Sequence, residues 1–274
     1  MTRDGSYEQW QELAPRWEKA RDLMWDSTYQ VSEWLVERLD PQPGQTVLDL
    51  AAGTGETGFL AAPLLVPGGL LISADRSPNM LAAGRRGADA RGLRNVDFRL
   101  LEAERLELPA ATVDGVLCRF GYILKGDPPP ALAEIRRVLR PGGRLAFSVW
   151  VERERNAWMT VPADVMVSRG HLHPQTDEER RTSEKRNPAS INALLTAAGF
   201  DKSEIEEQEV AYRFADSDEL WFFVSELRGP VAQALARLDE DERQAVRAEI
   251  ESRATRTSGG GFALGGVSLN VATS

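Results

Sequence analysis

The stretch VLDLAAGTGETG, residues 47–58, decides the fold. An apolar strand signal runs straight into a glycine-rich turn, and Gly53, Gly55 and Gly58 meet the G-x-G-x-x-G spacing associated with dinucleotide binding at a strand–helix junction. Asp49, however, stands inside the strand end. A pyrophosphate is received by backbone N–H groups and a helix N-terminus, and a carboxylate beside them repels it. The ligand of this turn therefore has to suit an acid.

Working outward, strand and helix signals alternate, the pattern of a mostly parallel sheet covered on both faces. TVLDLA (46–51), GLLISAD (69–75), VDFRLLE (96–102), TVDGVLCRF (112–120) and RLAFSVW (144–150) are apolar runs suited to strands buried on both sides. Ser77 and Pro78 supply a helix cap and first turn, and Asp127 with Pro128 supply the same for the helix ending at RPGG, whose Leu132, Ile135, Val138 and Leu139 form one stripe. A further helix, 188–200, stops at Gly199. EIEEQEVAYRF (204–214) and GFALGGVSLNVAT (261–273) are two more strands, the EEQE run at 206–209 marking a solvated edge. Residues 151–187 and 215–258 fall outside this alternation, the latter with helical patterns in SDELWFFVSEL and DERQAVRAEIESR. Because the first of them leaves from a strand's carboxyl end, where open α/β sheets bind ligands, both read as caps over a site.

Composition narrows the functions. The chain has 274 residues, 42% of them hydrophobic, enough for a large core. A formal net charge of −9 and a pI near 5.0 argue against a nucleic-acid partner, which needs a basic face. Cys118 is the one cysteine and is read as core; the start MTRDGSYEQW lacks a signal peptide's apolar region, and no apolar stretch is long enough to span a bilayer. A cytoplasmic protein without a membrane partner is expected.

Asp75 ends the second strand 20 positions after Gly55, and Glu102 ends the third. With Asp49 these acids would project from neighbouring strand ends. A sulfonium, an amino group, a ribose diol and an adenine, without phosphate, suit them better than NAD does. S-adenosylmethionine has those groups.

The segments VLDLAAGTGETG, ISADRSPNML, LLEAERLELPAATVDGVLCRFGYIL and ALAEIRRVLRPGGRLAFSVW resemble the successive motifs of class I S-adenosylmethionine-dependent methyltransferases, in the branch related to the ubiquinone/menaquinone C-methyltransferases. The resemblance covers residues 46–150, with AGF near 200 also similar. It implies a Rossmann-like, doubly wound α/β fold with a seven-stranded, mostly parallel sheet whose last strand is antiparallel. The expected organisation is an N-terminal helical lid (1–40), a cofactor-binding core (41–150), an inserted cap (151–187), a core continuation (188–214), a second helical cap (215–258) and a final core strand (259–274).

The resemblance also implies roles. Gly53 and Gly55 lie under the methionine portion of S-adenosylmethionine, Asp49 helps organise its amino group, Asp75 accepts the ribose hydroxyls, and Ala51 and Arg76 belong to the same cofactor-binding set. Met80 packs near the adenosine or is simply core. Glu102 and Ala103 stand where the family has an Asp-Ala pair at the adenine edge, and the longer Glu shifts weight to the Ala103 backbone. Arg119 and Phe120 end the fourth strand facing the transferable methyl, or Phe120 is an ordinary core aromatic.

For the acceptor the residues are less specific. Methyl transfer from a sulfonium is an in-line displacement that needs positioning and exclusion of water, with no covalent side chain. A hydroxyl or amine acceptor can use a general base, and the two histidines, His171 and His173, both lie in the loop GHLHPQTDEER; base and solvated loop both stay open, and no metal site is expected. Four of the seven tryptophans precede residue 35, and Trp10, Leu13, Trp17 and Ala20 have helical spacing, fitting either a docked amphipathic helix or an aromatic lid. Trp17, Trp25, Tyr122 and Trp150 are the candidate substrate-pocket residues. The expected function is methylation of a small molecule, first O-methylation of an aromatic or polyketide-like metabolite, with C- and N-methylation behind. The other readings are a non-catalytic S-adenosylmethionine-binding module or partner of a catalytic subunit and, more weakly, a nicotinamide oxidoreductase. A homo-oligomer stays open.

Overall fold

The computed structural model describes residues 5–121, 128–177, 187–227 and 229–274. Five strands follow the apolar runs: β1 Thr46–Leu50, β2 Leu70–Asp75, β3 Val96–Leu100, β4 Val113–Arg119 and β5 Leu139–Trp150. They pair in parallel in the order β3-β2-β1-β4-β5. Alternate side chains feed two apolar layers. Val47, Leu71, Leu117 and Ala146 face one, while Leu48, Ile72, Val116 and Phe147 face the other. A strand covered on both sides has no polar face to show, which is why these segments lack a period-two pattern.

β6 Ser203–Phe214 and β8 Phe262–Thr273 complete the sheet. β8 lies between β5 and β6 and is antiparallel to both, with Val271 opposite Phe147 on one side and Ile205 on the other. A two-residue strand, β7 Thr255–Arg256, folds back on β8, so the sheet has eight strands where the motifs imply seven.

Ten described helices cover the sheet: α1 Gly5–Lys19, α2 Arg21–Leu39, α3 Glu56–Ala61, α4 Pro78–Ala90, α5 Pro128–Val138, α6 Ala157–Ser168, α7 Pro188–Ala197, α8 Ser217–Leu227, α9 Gly229–Leu235 and α10 Glu240–Arg253. Ser77 caps α4 by accepting from the Met80 N–H at 3.2 Å, with Pro78 in the first turn. Asp127, the expected cap of α5, lies outside the described residues. Leu132, Ile135 and Val138 form the buried stripe of α5, but Leu139 does not extend it: it opens β5 opposite Val113, and a register irregularity between Val113 and Gly115 absorbs the early start.

At the far edge of the sheet β6 keeps its acids outward. Glu206 accepts from Trp34 Nε1 at 3.0 Å, Glu204 from Arg38 at 3.0 Å and Glu207 from Arg155 at 2.6 Å. Charged, engaged side chains of this kind guard an edge strand against pairing with another chain.

α2 packs on the sheet through the buried Val31, Leu35 and Leu39, and α1 reaches the start of α4. Asn79 Nδ2, at the start of α4, donates to the Gln11 carbonyl at 2.9 Å, Arg86 on α4 pairs with Glu18, and Arg16 pairs with Glu226 of α8 at 3.0 Å. α1 therefore links the helix that begins after β2 to a helix of the 215–258 segment. No helix among the described residues is long and apolar enough to cross a membrane.

Candidate active site

In the strand order β3-β2-β1-β4-β5 the chain reverses direction of winding between β1 and β4. Open α/β sheets bind ligands in the crevice outside the carboxyl ends at such a switch. Both flanking strands end in backbone strain: Ala51, just past β1, has φ +56°, and Phe120, just past β4, also has φ +56°. Left-handed backbone costs a non-glycine residue about 1–2 kcal/mol, and such residues cluster at functional sites. Phe120 is held there by its N–H, which donates to the Ser148 carbonyl at 3.1 Å with Ser148 Oγ at 3.2 Å.

The glycine turn follows Ala51. Gly55 has φ +96°, and a Cβ there would lie 2.4 Å from the Phe59 ring, so the turn admits no side chain. At Gly53, φ +58°, a Cβ would meet nothing within 4 Å: open space lies in front of the turn. A ligand can thus approach the backbone itself.

Three carboxylates surround this turn, each less than a tenth exposed. Asp75 Oδ2 accepts from the Gly53 N–H at 2.9 Å and Oδ1 from the Ser77 N–H at 2.9 Å, which ties the turn to the start of α4. Burial pushes its pKa up, against those two hydrogen bonds. Asp49 Oδ2 accepts from the Gly58 N–H at 2.9 Å and so braces the first turn of α3. Its pKa is pushed up to about 7, first by burial and further by Glu56 and Asp75, against the Gly58 hydrogen bond and Arg119. Glu56, in the first turn of α3, accepts from Thr54 Oγ1 and lies 2.8 Å from Arg21 Nε of α2, an ion pair whose contact is off-line for a hydrogen bond. Arg21 also donates to the Ala83 carbonyl at 3.1 Å.

Arg119 closes β4 and donates to Thr28 Oγ1 of α2. Burial pulls its pKa down, while Glu56, Tyr212 and Asp49 hold it up. The site thus sets three desolvated acids, Asp49, Glu56 and Asp75, among the partly buried arginines Arg21, Arg76 and Arg119. That balance, with a bare glycine backbone facing open space, fits a ligand carrying positive charge and hydroxyls and no phosphate, as S-adenosylmethionine does.

The remaining positions fall as follows. Arg76 is half-buried beside Asp75, and Glu102 and Ala103 are half-buried in the turn after β3, where the Arg105 N–H donates to the Glu102 carbonyl at 3.1 Å. Met80 is 2% exposed in the first turn of α4. Cys118 is fully buried, and burial raises its thiol pKa.

Of the candidate pocket rings, Trp150 belongs to a continuous aromatic group at the carboxyl ends of β4 and β5. It stacks on Phe120 with centroids 4.1 Å apart and planes 10° apart, and Trp158 and then Tyr212 continue the chain of rings. Trp17 packs edge-on against Trp10 within α1, and Trp25 against the half-exposed Tyr29 within α2. Tyr122 lies outside the described residues.

The histidines stand apart from this group. His171 follows the C-terminus of α6, and its Nε2 lies 2.7 Å from Glu242 Oε1 of α10; Arg169 grips the same carboxylate at 2.7 and 2.8 Å. Arg169 and then His171 hold the Glu242 pKa down at about 2. His173 is exposed.

Sequence reasoning missed Glu56, Arg21, Asn156, Trp158 and Tyr212. Glu56 had a faint signal, an acid in the first turn of a helix beside a glycine turn, which reads by itself as a dipole effect. Tyr212 meets Trp158 from 54 positions away, with nothing local to announce it.

Residues 47–143 match a family model described as a methyltransferase domain. The chain is 38% identical over 139 residues to demethylmenaquinone methyltransferase of Thermus thermophilus, covering 49% of this chain and 60% of that protein. It is 28% identical over 242 residues to nocamycin O-methyltransferase of Saccharothrix syringae, covering 84% and 85%. Several other curated relatives are matched over about half of their length. The YcgJ protein of Bacillus subtilis shares the fold with a TM-score of 0.59 at 16% identity, over 89% of this chain and 97% of that one. The glycine turn and the acids at the strand ends thus lie in a region, residues 47–143, that is similar to a methyltransferase domain, and the relatives it matches include ubiquinone/menaquinone biosynthesis C-methyltransferases beside the demethylmenaquinone methyltransferase above.

Proposed function

We propose that the protein transfers a methyl group from S-adenosylmethionine to an oxygen of a small aromatic or polyketide-like molecule. The observation that carries the cofactor part is the cluster of three buried acids around a glycine turn that opens onto free space. The acceptor class is supported by the aromatic group beside the switch point and by the likeness to nocamycin O-methyltransferase along most of both chains.

When bound, the cofactor supplies an electrophilic methyl on a sulfonium. Gly53 and Gly55 receive its methionine part, Asp75 accepts from the ribose hydroxyls through lone pairs left beside its two backbone contacts, and Ala103 with Glu102 borders the adenine. Arg119 supplies a positive charge for the methionine carboxylate, and Asp49 fixes the start of α3. α1 and the first turns of α2 form a lid: Arg21 pairs with Glu56 and Thr28 engages Arg119, contacts that complete the polar site and exclude water. The described parts of the 151–187 and 215–258 segments cap the acceptor side. His171 is engaged with Glu242 and His173 is exposed, both apart from the aromatic group, so positioning rather than a base carries the catalysis.

The test is ligand choice. S-adenosylhomocysteine at a hundredfold excess over its dissociation constant is expected to stabilise the protein by about 2.7 kcal/mol, a melting rise of roughly 5–11 °C, and NADH to leave it unchanged. The opposite pattern sinks the reading, and a product assay with phenolic acceptors separates turnover from binding alone. His171→Gln and His173→Gln are expected to keep turnover within about threefold. A fall of about a hundredfold in either, with chemistry rate-limiting, would give that histidine the base role.

A further inference from the structure

Trp158 is the second residue of α6, the helix that leaves the carboxyl end of β5. Its placement is unusually determined. Asn156, completely buried, accepts from Trp158 Nε1 at 3.2 Å and from the Val267 N–H of β8 at 3.1 Å through the same Oδ1, and its Nδ2 donates to the Glu152 carbonyl at 2.9 Å. On β8, Gly266 makes room for this arrangement: a Cβ there would lie 2.6 Å from Asn156 Oδ1 and 2.7 Å from the Trp158 ring. The indole is therefore pinned to the sheet. Because its N–H is spent on Asn156, it offers a ligand its π face and little polarity.

The pinned ring stands 4.8 Å from Trp150 at 57°, while Trp150 lies flat on Phe120. Two walls meet: a stacked pair across the ends of β4 and β5, and an inclined indole from the cap. All three rings are only partly buried, although they stand on the backbone elements that border the switch point. Aromatic rings that keep part of their surface uncovered at the strand ends are suited to a flat conjugated partner, which gains offset or edge-on ring contacts beyond burial alone.

Resting on the methyl-transfer reading above, we propose that Trp158, with Phe120 and Trp150, sets the plane of a flat, conjugated acceptor ring, and that Asn156 is the positioning residue that fixes Trp158. Acceptor specificity then lies in the corner between β5 and the cap helix, and a saturated or compact polar acceptor gains little there.

The probe is 1,8-dihydroxyanthraquinone, titrated against the full chain saturated with S-adenosylhomocysteine. Trp158→Ala is expected to weaken the probe about 10-fold or more, and Trp158→Phe to stay within about threefold, with S-adenosylhomocysteine affinity unchanged within about twofold in both. Asn156→Ala is expected to weaken the probe about fivefold in the parent and to add nothing in the Trp158→Ala background, a coupling that a merely structural role does not produce. Unchanged probe affinity in Trp158→Ala, or a parent that binds S-adenosylhomocysteine and ignores the probe, overturns the wall; additive losses overturn the role of Asn156. Failure of the parent to bind S-adenosylhomocysteine overturns the methyl-transfer reading itself, and this one with it.

Discussion

Asp75→Ala is expected to raise the dissociation constant of S-adenosylhomocysteine roughly 10- to 150-fold. Hydrogen bonds to a charged acceptor contribute about 1.5–3 kcal/mol, and 1.4 kcal/mol is a factor of ten. Affinity is not the whole effect, because the same carboxylate accepts the Gly53 and Ser77 N–H groups. Losing it leaves both donors short of a partner and loosens the junction between the glycine turn and α4, so the melting temperature falls too. Asp75→Asn divides the two contributions: its single carbonyl oxygen still serves one N–H and restores part of the stability, while the charge that favours the ribose hydroxyls is gone. Calorimetry decides. Should Asp75→Ala bind S-adenosylhomocysteine as tightly as the parent, the ribose assignment is wrong.

The other large effect is one of pH. Asp49 is buried with its pKa pushed up to about 7, whereas in the unfolded chain an aspartate titrates near 3.9. The sign follows from proton counting: between these values the folded state holds the proton more tightly, so stability falls as pH rises from about 4 to about 7 and levels off above. Asp49→Asn removes that slope and keeps an oxygen for the Gly58 N–H. The stability of the variant relative to the parent is expected to improve by about 3 kcal/mol between pH 5 and pH 8, at about 1.4 kcal/mol per pH unit. Chemical denaturation at both pH values measures it. A difference that stays flat, or grows toward acid, contradicts a desolvated Asp49.

The sheet was legible because strands buried on both faces must be apolar throughout, and each parallel crossover must return through a helix with its own cap and stop. Ser77 and Gly199 could be named from such local rules, and so could the acid-lined glycine turn. Leu139 was misplaced for a local reason as well: at the end of a helical stripe, with Pro141 and Gly142 ahead, it reads as helix, and only Val113 on the neighbouring strand makes it a strand residue. The polar braces were harder. Nothing near Arg21 indicates that it will meet Glu56, and nothing near Asn156 indicates that its amide will join the end of β5 to β8. Partners brought together by the folded sheet, from elements far apart in the chain, leave no periodicity to read.

The place of β8 has a consequence for biosynthesis. β8 is made after β5, β6 and β7, yet it sits between β5 and β6, pairing with Leu145–Trp150 of the one and Ser203–Phe214 of the other. A nascent chain that has reached β7 has one completed parallel flank ending at β5 and a detached β6 that can join it only through a strand still to be synthesised. Until then β5 presents an open, apolar edge, the kind that recruits strands from other chains. β8 thus acts as a keystone, and a nonsense codon anywhere between Phe262 and Thr273 is more damaging than the strand's small share of the sequence suggests.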